Sequence, residues 1–136
     1  DSLRKRVDFT SECVSRLGLE GIESLCLRAE EAPLEMRESY DIATSRAVAK
    51  LNLLLELALP FVRTGGVFLA MKSVDCGPEV EGAAHAIKLL GGRVRDQADY
   101  QIPGTEITHR VVAIEKVAPT LKGYPRRWAK IQKAPL

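Results

Sequence analysis

Two hydrophobic periods alternate along the chain. Leu3, Val7, Val14 and Leu17 recur at helical spacing, with Arg4, Lys5, Glu12 and Arg16 mostly opposite. They predict an opening helix, capped by Asp1 or Ser2 and closed by Gly18. Ile22, Leu25 and Leu27 alternate loosely and predict a strand over residues 22–27. Pro33 forbids a long helix after it, so residues 29–35 read as a turn with a short helical piece. A short buried strand is expected over 40–44, passing into a helix at Ser45-Arg46. Val48, Leu51, Leu55 and Leu59 then predict a helix over 47–59, ended or kinked by Pro60. Thr64-Gly65-Gly66 reads as a turn. Residues 67–71 form a continuous apolar strand of the kind covered on both faces. A helix over 78–90 has Pro78 in its first turn, with Val80, Ala83, Ala84, Ile87 and Leu90 as its buried stripe. Residues 94–102 and 106–117 read as two strands of an antiparallel hairpin, joined at Pro103-Gly104. The last strand is expected to be central and covered on both sides.

Strands alternating with helices imply a parallel α/β sheet. No internal repeat interrupts this order, and no boundary is expected before Ala118. The chain is therefore read as a domain over 1–117 and a basic tail over 118–136. Charge supports that division. The formal net charge is +2, yet the tail holds Lys122, Arg126, Arg127, Lys130 and Lys133 and no acid beyond Thr120, so the remainder is slightly acidic. A polyanionic partner and a solubilising tail both suit this pattern.

Some chemistry is missing. No apolar run is long enough to span a bilayer, and the charged start resembles no leader, so a cytoplasmic protein without a membrane partner is expected. Cys13, Cys26 and Cys76 have no metal spacing and read as reduced thiols; no metal site is expected. There is no Gly-rich nucleotide or phosphate loop. Ser45 lacks triad partners, and His85 and His109 each stand alone, so no catalytic acid, base or nucleophile is assigned. What remains is polar residues at three successive strand ends: Ala29-Glu30, Ser45-Arg46 and Lys72. Ligands of open α/β sheets bind at such ends. Arg46 there is either a ligand clamp or a solvated charge.

Five segments in order carry a family resemblance. They are Asp1-Ser2-Leu3-x-Lys5-Arg6, Arg28-Ala29-Glu30, Tyr40-Asp41-Ile42-x-x-Ser45-Arg46-Ala47-Val48-Ala49, Leu59-Pro60-x-Val62 with Gly65-Gly66, and Ala70-Met71-Lys72. With the basic ending Tyr124-Pro125-Arg126-Arg127, this resembles the RsmG (GidB) family of bacterial methyltransferases. The resemblance implies a Rossmann-like class I S-adenosylmethionine-dependent fold, lacking its N-terminal part and ending in an antiparallel hairpin. It implies methyl transfer from S-adenosylmethionine to N7 of a guanosine in 16S ribosomal RNA, as free RNA or in the small subunit. Lys72-Ser73 departs from the family's usual Lys-Gly, and Trp128-Ala129 stands where the family has small residues.

The resemblance assigns roles by position. Asp1 matches the acid that accepts from the cofactor ribose, whose two hydroxyls suit a carboxylate. Ala29 and Glu30 match the segment that holds the adenine, although a turn acid in water would look the same as Glu30. Arg46 matches the arginine of the cofactor and substrate crevice. Guanine N7 carries a lone pair and no proton, so no general base is needed, and alignment would drive the reaction. Positive charge moves onto the guanine during transfer, so Arg46 is expected to grip the guanine O6, an RNA phosphate or the cofactor carboxylate rather than N7. Lys72, Arg126, Arg127, Lys130 and Lys133 are candidate RNA contacts; a strand-end lysine in water is the plain alternative for Lys72. The family's first strand and Gly-rich loop would precede Asp1. The strand over 22–27 is therefore expected to be an orphan edge, open to strand exchange with a second copy, and this chain alone is expected to bind cofactor poorly. A non-catalytic RNA-binding module and a fragment of a nucleotide-binding oxidoreductase remain as competing readings.

Overall fold

The computed structural model describes residues 1–46 and 48–136. It divides into two units, Asp1–Ala32 and Pro33–Leu136, so the residues from 118 onward fall within the second unit. Ala47, the expected start of the second long helix, lies outside the described residues.

In the first unit, helix α1 (Arg4–Arg16) forms as expected and stops before Gly18, which takes a left-handed φ of 61°. Its cap differs from expectation. Leu3 is the capping residue and supplies no side-chain bond, while Asp1 Oδ1 accepts the Leu3 N–H at 2.9 Å. Only Val7 of the predicted stripe is buried. Residues 22–27 are not a strand of any ladder. Among the described residues their backbone pairs with Asp1, whose amino group donates to the Leu25 carbonyl (3.1 Å) and whose carbonyl accepts from Leu27 N–H (3.0 Å). A ladder needs successive residues on both sides, and one neighbouring residue cannot provide them.

The second unit is a sheet of four strands: β1 (Tyr40–Arg46), β2 (Val62–Ser73), β3 (Gly92–Gln101) and β4 (Thr108–Lys116). Their order is β1-β2-β4-β3. β1 and β2 are parallel; β4 is antiparallel to both β2 and β3. The expected hairpin is present and β4 is central, but only one face of the sheet is sealed. Phe68, Ala70, Val112 and Ile114 are fully buried, whereas Leu69, Val111 and Ala113 on the other face are only half-buried.

The sealed face packs against α2 (Leu51–Ala58), α3 (Gly77–Gly82) and α4 (Ala84–Leu89). The expected helix over 78–90 is two helices that break at Ala83, just after the poor helix former Gly82. Gly65-Gly66 is no turn before the strand but part of β2. The register jumps there from Tyr40↔Val62 to Ile42↔Val67, so the ladder is irregular at this point. A Cβ on Gly66 would sit 2.5 Å from the Asp41 carbonyl oxygen, so only glycine lets the two backbones approach.

The tail is folded. α5 (Trp128–Lys133) buries Ile131 completely. Arg37 donates to the carbonyls of Thr120 (2.6 Å), Leu121 (3.0 Å) and Tyr124. Glu38 holds a left-handed φ of 52°, costly for a non-glycine residue. Its carboxylate is thereby aimed at the Thr120 N–H (2.7 Å) and at Lys116 Nζ (3.4 Å).

Candidate functional site

The sheet register gathers one group of side chains at one edge. β1 and β2 run parallel, so their carboxyl ends lie side by side, with Arg46 opposite Met71. The antiparallel β4 begins at this same edge, placing His109 opposite Ser73, and β3 ends there with Tyr100 opposite His109. Alternation along each strand puts Arg46, Met71, Ser73, His109 and Tyr100 on one face. They line an open cleft of about 820 Å³, together with Ala49, Lys72 and Glu79. Arg46 is the last residue of β1, not the first turn of a helix, and its side chain is exposed with no ion-pair partner among the described residues. Ser45, one position back, is turned inward, and its hydroxyl has no partner among the described residues.

Lys72 alternates to the opposite side. Its side chain is only 12% exposed, and Nζ donates to Glu79 Oε1 (2.7 Å) and to the Ala49 carbonyl (2.9 Å). The strand-end lysine in water is therefore corrected: a buried ammonium needs partners, and Lys72 has them. Glu79 also accepts the Leu51 N–H at the start of α2. One carboxylate thus joins α3, the end of β2 and the segment after β1, holding residues 49–51 at the cleft rim. Asp75, just beyond β2, has its carboxyl held below the usual range, chiefly by the Ser73 hydroxyl.

In the first unit, the backbone of Asp1 pairs with Leu25 and Leu27, while its carboxylate accepts the Leu3 N–H. Asp1 Oδ2 faces Arg6 at 3.4 Å. Ala29 opens a 3-10 turn, and the Glu30 side chain, 7% exposed, lies 3.5 Å from Arg28. Glu30 is no solvated turn acid.

The tail cations separate into two kinds. Arg126 is corrected as an RNA contact. Its guanidinium makes a two-pronged pair with the fully buried Glu56 (2.7 Å to each oxygen), and its backbone N–H donates to the same carboxylate (2.7 Å). That hydrogen-bonded pairing pushes the Arg126 pKa up. Arg127, Lys130 and Lys133 stay exposed. Lys116, fully buried, donates to the Leu59 carbonyl and Thr120 Oγ1, both at 2.6 Å; burial lowers its pKa and Glu38 partly restores it.

Sequence reasoning missed Glu79, Glu56, Tyr100 and the company of His109. The hairpin register would have exposed the last two: pairing 94–102 against 106–117 sets Tyr100 near His109. Nothing local marks Glu56, a lone acid in an apolar run. Among the described residues no His, Cys, Asp and Glu cluster could hold a metal ion, and no helix is long and apolar enough to cross a membrane.

Comparison with known proteins adds an independent line. A family model described as rRNA small subunit methyltransferase G matches residues 1–103. The chain is 41% identical over its whole length to the ribosomal RNA small subunit methyltransferase G of Clostridium beijerinckii, covering 58% of that protein. It is 43% identical to the protein of the same name from Alkaliphilus metalliredigens, again covering 58%. The chain thus spans little more than half the length of these curated relatives. Among solved structures, it matches M. jannaschii TYW2 in complex with AdoMet with a TM-score of 0.64 at 13% identity, covering 86% of this chain and 56% of that one. An rRNA methylase from Streptococcus thermophilus matches with a TM-score of 0.58 at 20% identity, over 87% of this chain and 71% of that one. These two likenesses establish the fold.

Proposed function

Because this chain belongs to the rRNA small subunit methyltransferase G family, we propose that it forms part of an enzyme that methylates N7 of a guanosine in 16S ribosomal RNA, with S-adenosylmethionine as donor. The observation that carries this reading is the family match over residues 1–103, which includes Asp1, Ala29, Glu30, Arg46 and Lys72. It favours neither the non-catalytic RNA module nor the oxidoreductase. The work belongs to the bacterial cytoplasm, where the substrate RNA or small subunit resides.

S-adenosylmethionine, when bound, supplies a methyl group on a positively charged sulfur. The chain's own residues hold and orient. Asp1 accepts from the ribose hydroxyls, using lone pairs beyond those engaged with Leu3 and Arg6. Ala29 lets the adenine approach the backbone, and Glu30 accepts from its exocyclic amine. Arg46, exposed at the end of β1, is a free donor fork for guanine O6, a phosphate or the cofactor carboxylate. Guanine N7 has no proton to lose, so the transfer needs alignment rather than a general base. Lys72 acts by fixing residues 49–51 at the rim. Arg127, Lys130 and Lys133 meet RNA phosphates.

The test is transfer of labelled methyl from S-adenosylmethionine to 16S RNA or small subunits by the protein at its full encoded length, with the modified atom mapped. One guanosine methylated at N7 is expected. No transfer, or transfer to another atom, would overturn the reading.

A further inference from the structure

Tyr100 and His109 belong to no role described above. They are directly paired across β3 and β4, with ring centroids 5.8 Å apart and planes tilted by 43°. Both line the cleft into which Arg46 opens, and Tyr100 is 39% exposed. A cross-strand aromatic pair usually serves only the sheet. Here the next register position already does that: Arg110 makes a two-pronged pair with Asp99 (2.6 and 2.8 Å), which holds the Asp99 carboxyl below its usual range. The rings thus sit on a braced hairpin, at the same strand-end edge as an exposed arginine. Unpaired RNA bases are recognised by such a combination, stacking on aromatic faces while charged donors take polar edges or phosphates.

We propose that Tyr100 and His109 form a stacking platform for an unpaired purine of the RNA, the target guanine, at the mouth of the cleft. This rests on the methyl-transfer reading and names the substrate side of that site. A purine could also come from the cofactor's adenine, so the measurement must separate the two. Arg46, on the same face, would then be placed to meet the base edge or its phosphate.

The experiment compares Tyr100→Phe, Tyr100→Ala and His109→Ala in the protein at its full encoded length, using steady-state methylation of small-subunit RNA with each substrate varied in turn. Tyr100→Phe keeps the ring and should leave the KM for RNA unchanged. Tyr100→Ala and His109→Ala should each raise it roughly 10-fold, the scale of removing one base stack, with the KM for S-adenosylmethionine unmoved. Thermal melts of all three variants check folding; if an alanine variant unfolds, Tyr100→Leu, which keeps bulk and loses the stacking face, takes its place. A KM for RNA unaffected by loss of either ring would overturn the platform while leaving methyl transfer intact. A rise confined to the KM for S-adenosylmethionine would overturn it too, by assigning the rings to the adenine. Absence of methylation by the unaltered protein would instead strike the reading on which the platform stands.

Discussion

Arg46 and Arg126 are the same residue type, yet they meet opposite surroundings. Arg126 faces a carboxylate with no water around it. Glu56 is fully buried, and three hydrogen bonds from Arg126 satisfy it. Arg46 ends a strand at an open cleft, exposed and without an ion-pair partner among the described residues. The same side chain is thus a rivet in one place and a free donor in the other. Residue type alone treats both alike. Burial of the opposing acid separates them, because an ion taken out of water needs a partner of opposite charge.

That contrast can be broken at either end. The largest expected effect is on stability: Arg126→Ala should lower the unfolding free energy by about 3–5 kcal/mol, the cost of leaving a buried charge unpaired. In the same urea titrations Arg46→Ala should stay within about 0.5 kcal/mol of the parent. Equal losses at the two sites would erase the distinction. Next comes function. Arg46→Ala should reduce kcat/KM for methyl transfer by roughly 10- to 100-fold, as expected when a charge-assisted hydrogen bond worth about 1.5–3 kcal/mol is removed. Retained methyl transfer in that variant would remove Arg46 from the site.

Lys116 sharpens the buried side of the comparison. Lys116→Met should cost about 1–3 kcal/mol by leaving acceptors unpaired, read by thermal melting. It also predicts a pH trend. Burial lowers the Lys116 pKa in the folded state, so the unfolded chain binds more protons between that value and the ordinary lysine range. The parent should therefore gain stability relative to Lys116→Met as pH rises through that window. A gain on acidification in that window would contradict this. The smallest effect concerns the exposed tail. Removing Arg127, Lys130 or Lys133 one at a time should flatten the dependence of log K for RNA on log salt by about 0.7–0.9 for each phosphate no longer neutralised. An unchanged slope would take that residue out of the interface.

Much of the second unit was legible in the residues. Periodicity located β1, β2, α2 and the hairpin, because alternation and helical spacing are local consequences of backbone geometry. The errors fell where geometry depends on a neighbour. Gly65-Gly66 looks like a turn until Asp41 is seen against it. Residues 22–27 look like a strand, but a strand is defined by what it pairs with. The tail looked like an appendage because its anchors, Arg37, Glu38 and Glu56, lie more than sixty residues away in sequence.

The chain's order of residues by itself determined the family, the alternation of strands and helices, and the presence of polar groups at strand ends. Those properties are written in short-range spacing. Only the tertiary structure decided which charges remain available. Register set Tyr100 beside His109, and the packing of α2 and α3 captured Arg126 and Lys72 with acids drawn from other segments. The physical reason is that a charge's availability depends on what shares its surroundings once water has been excluded, and that company is assembled only by folding.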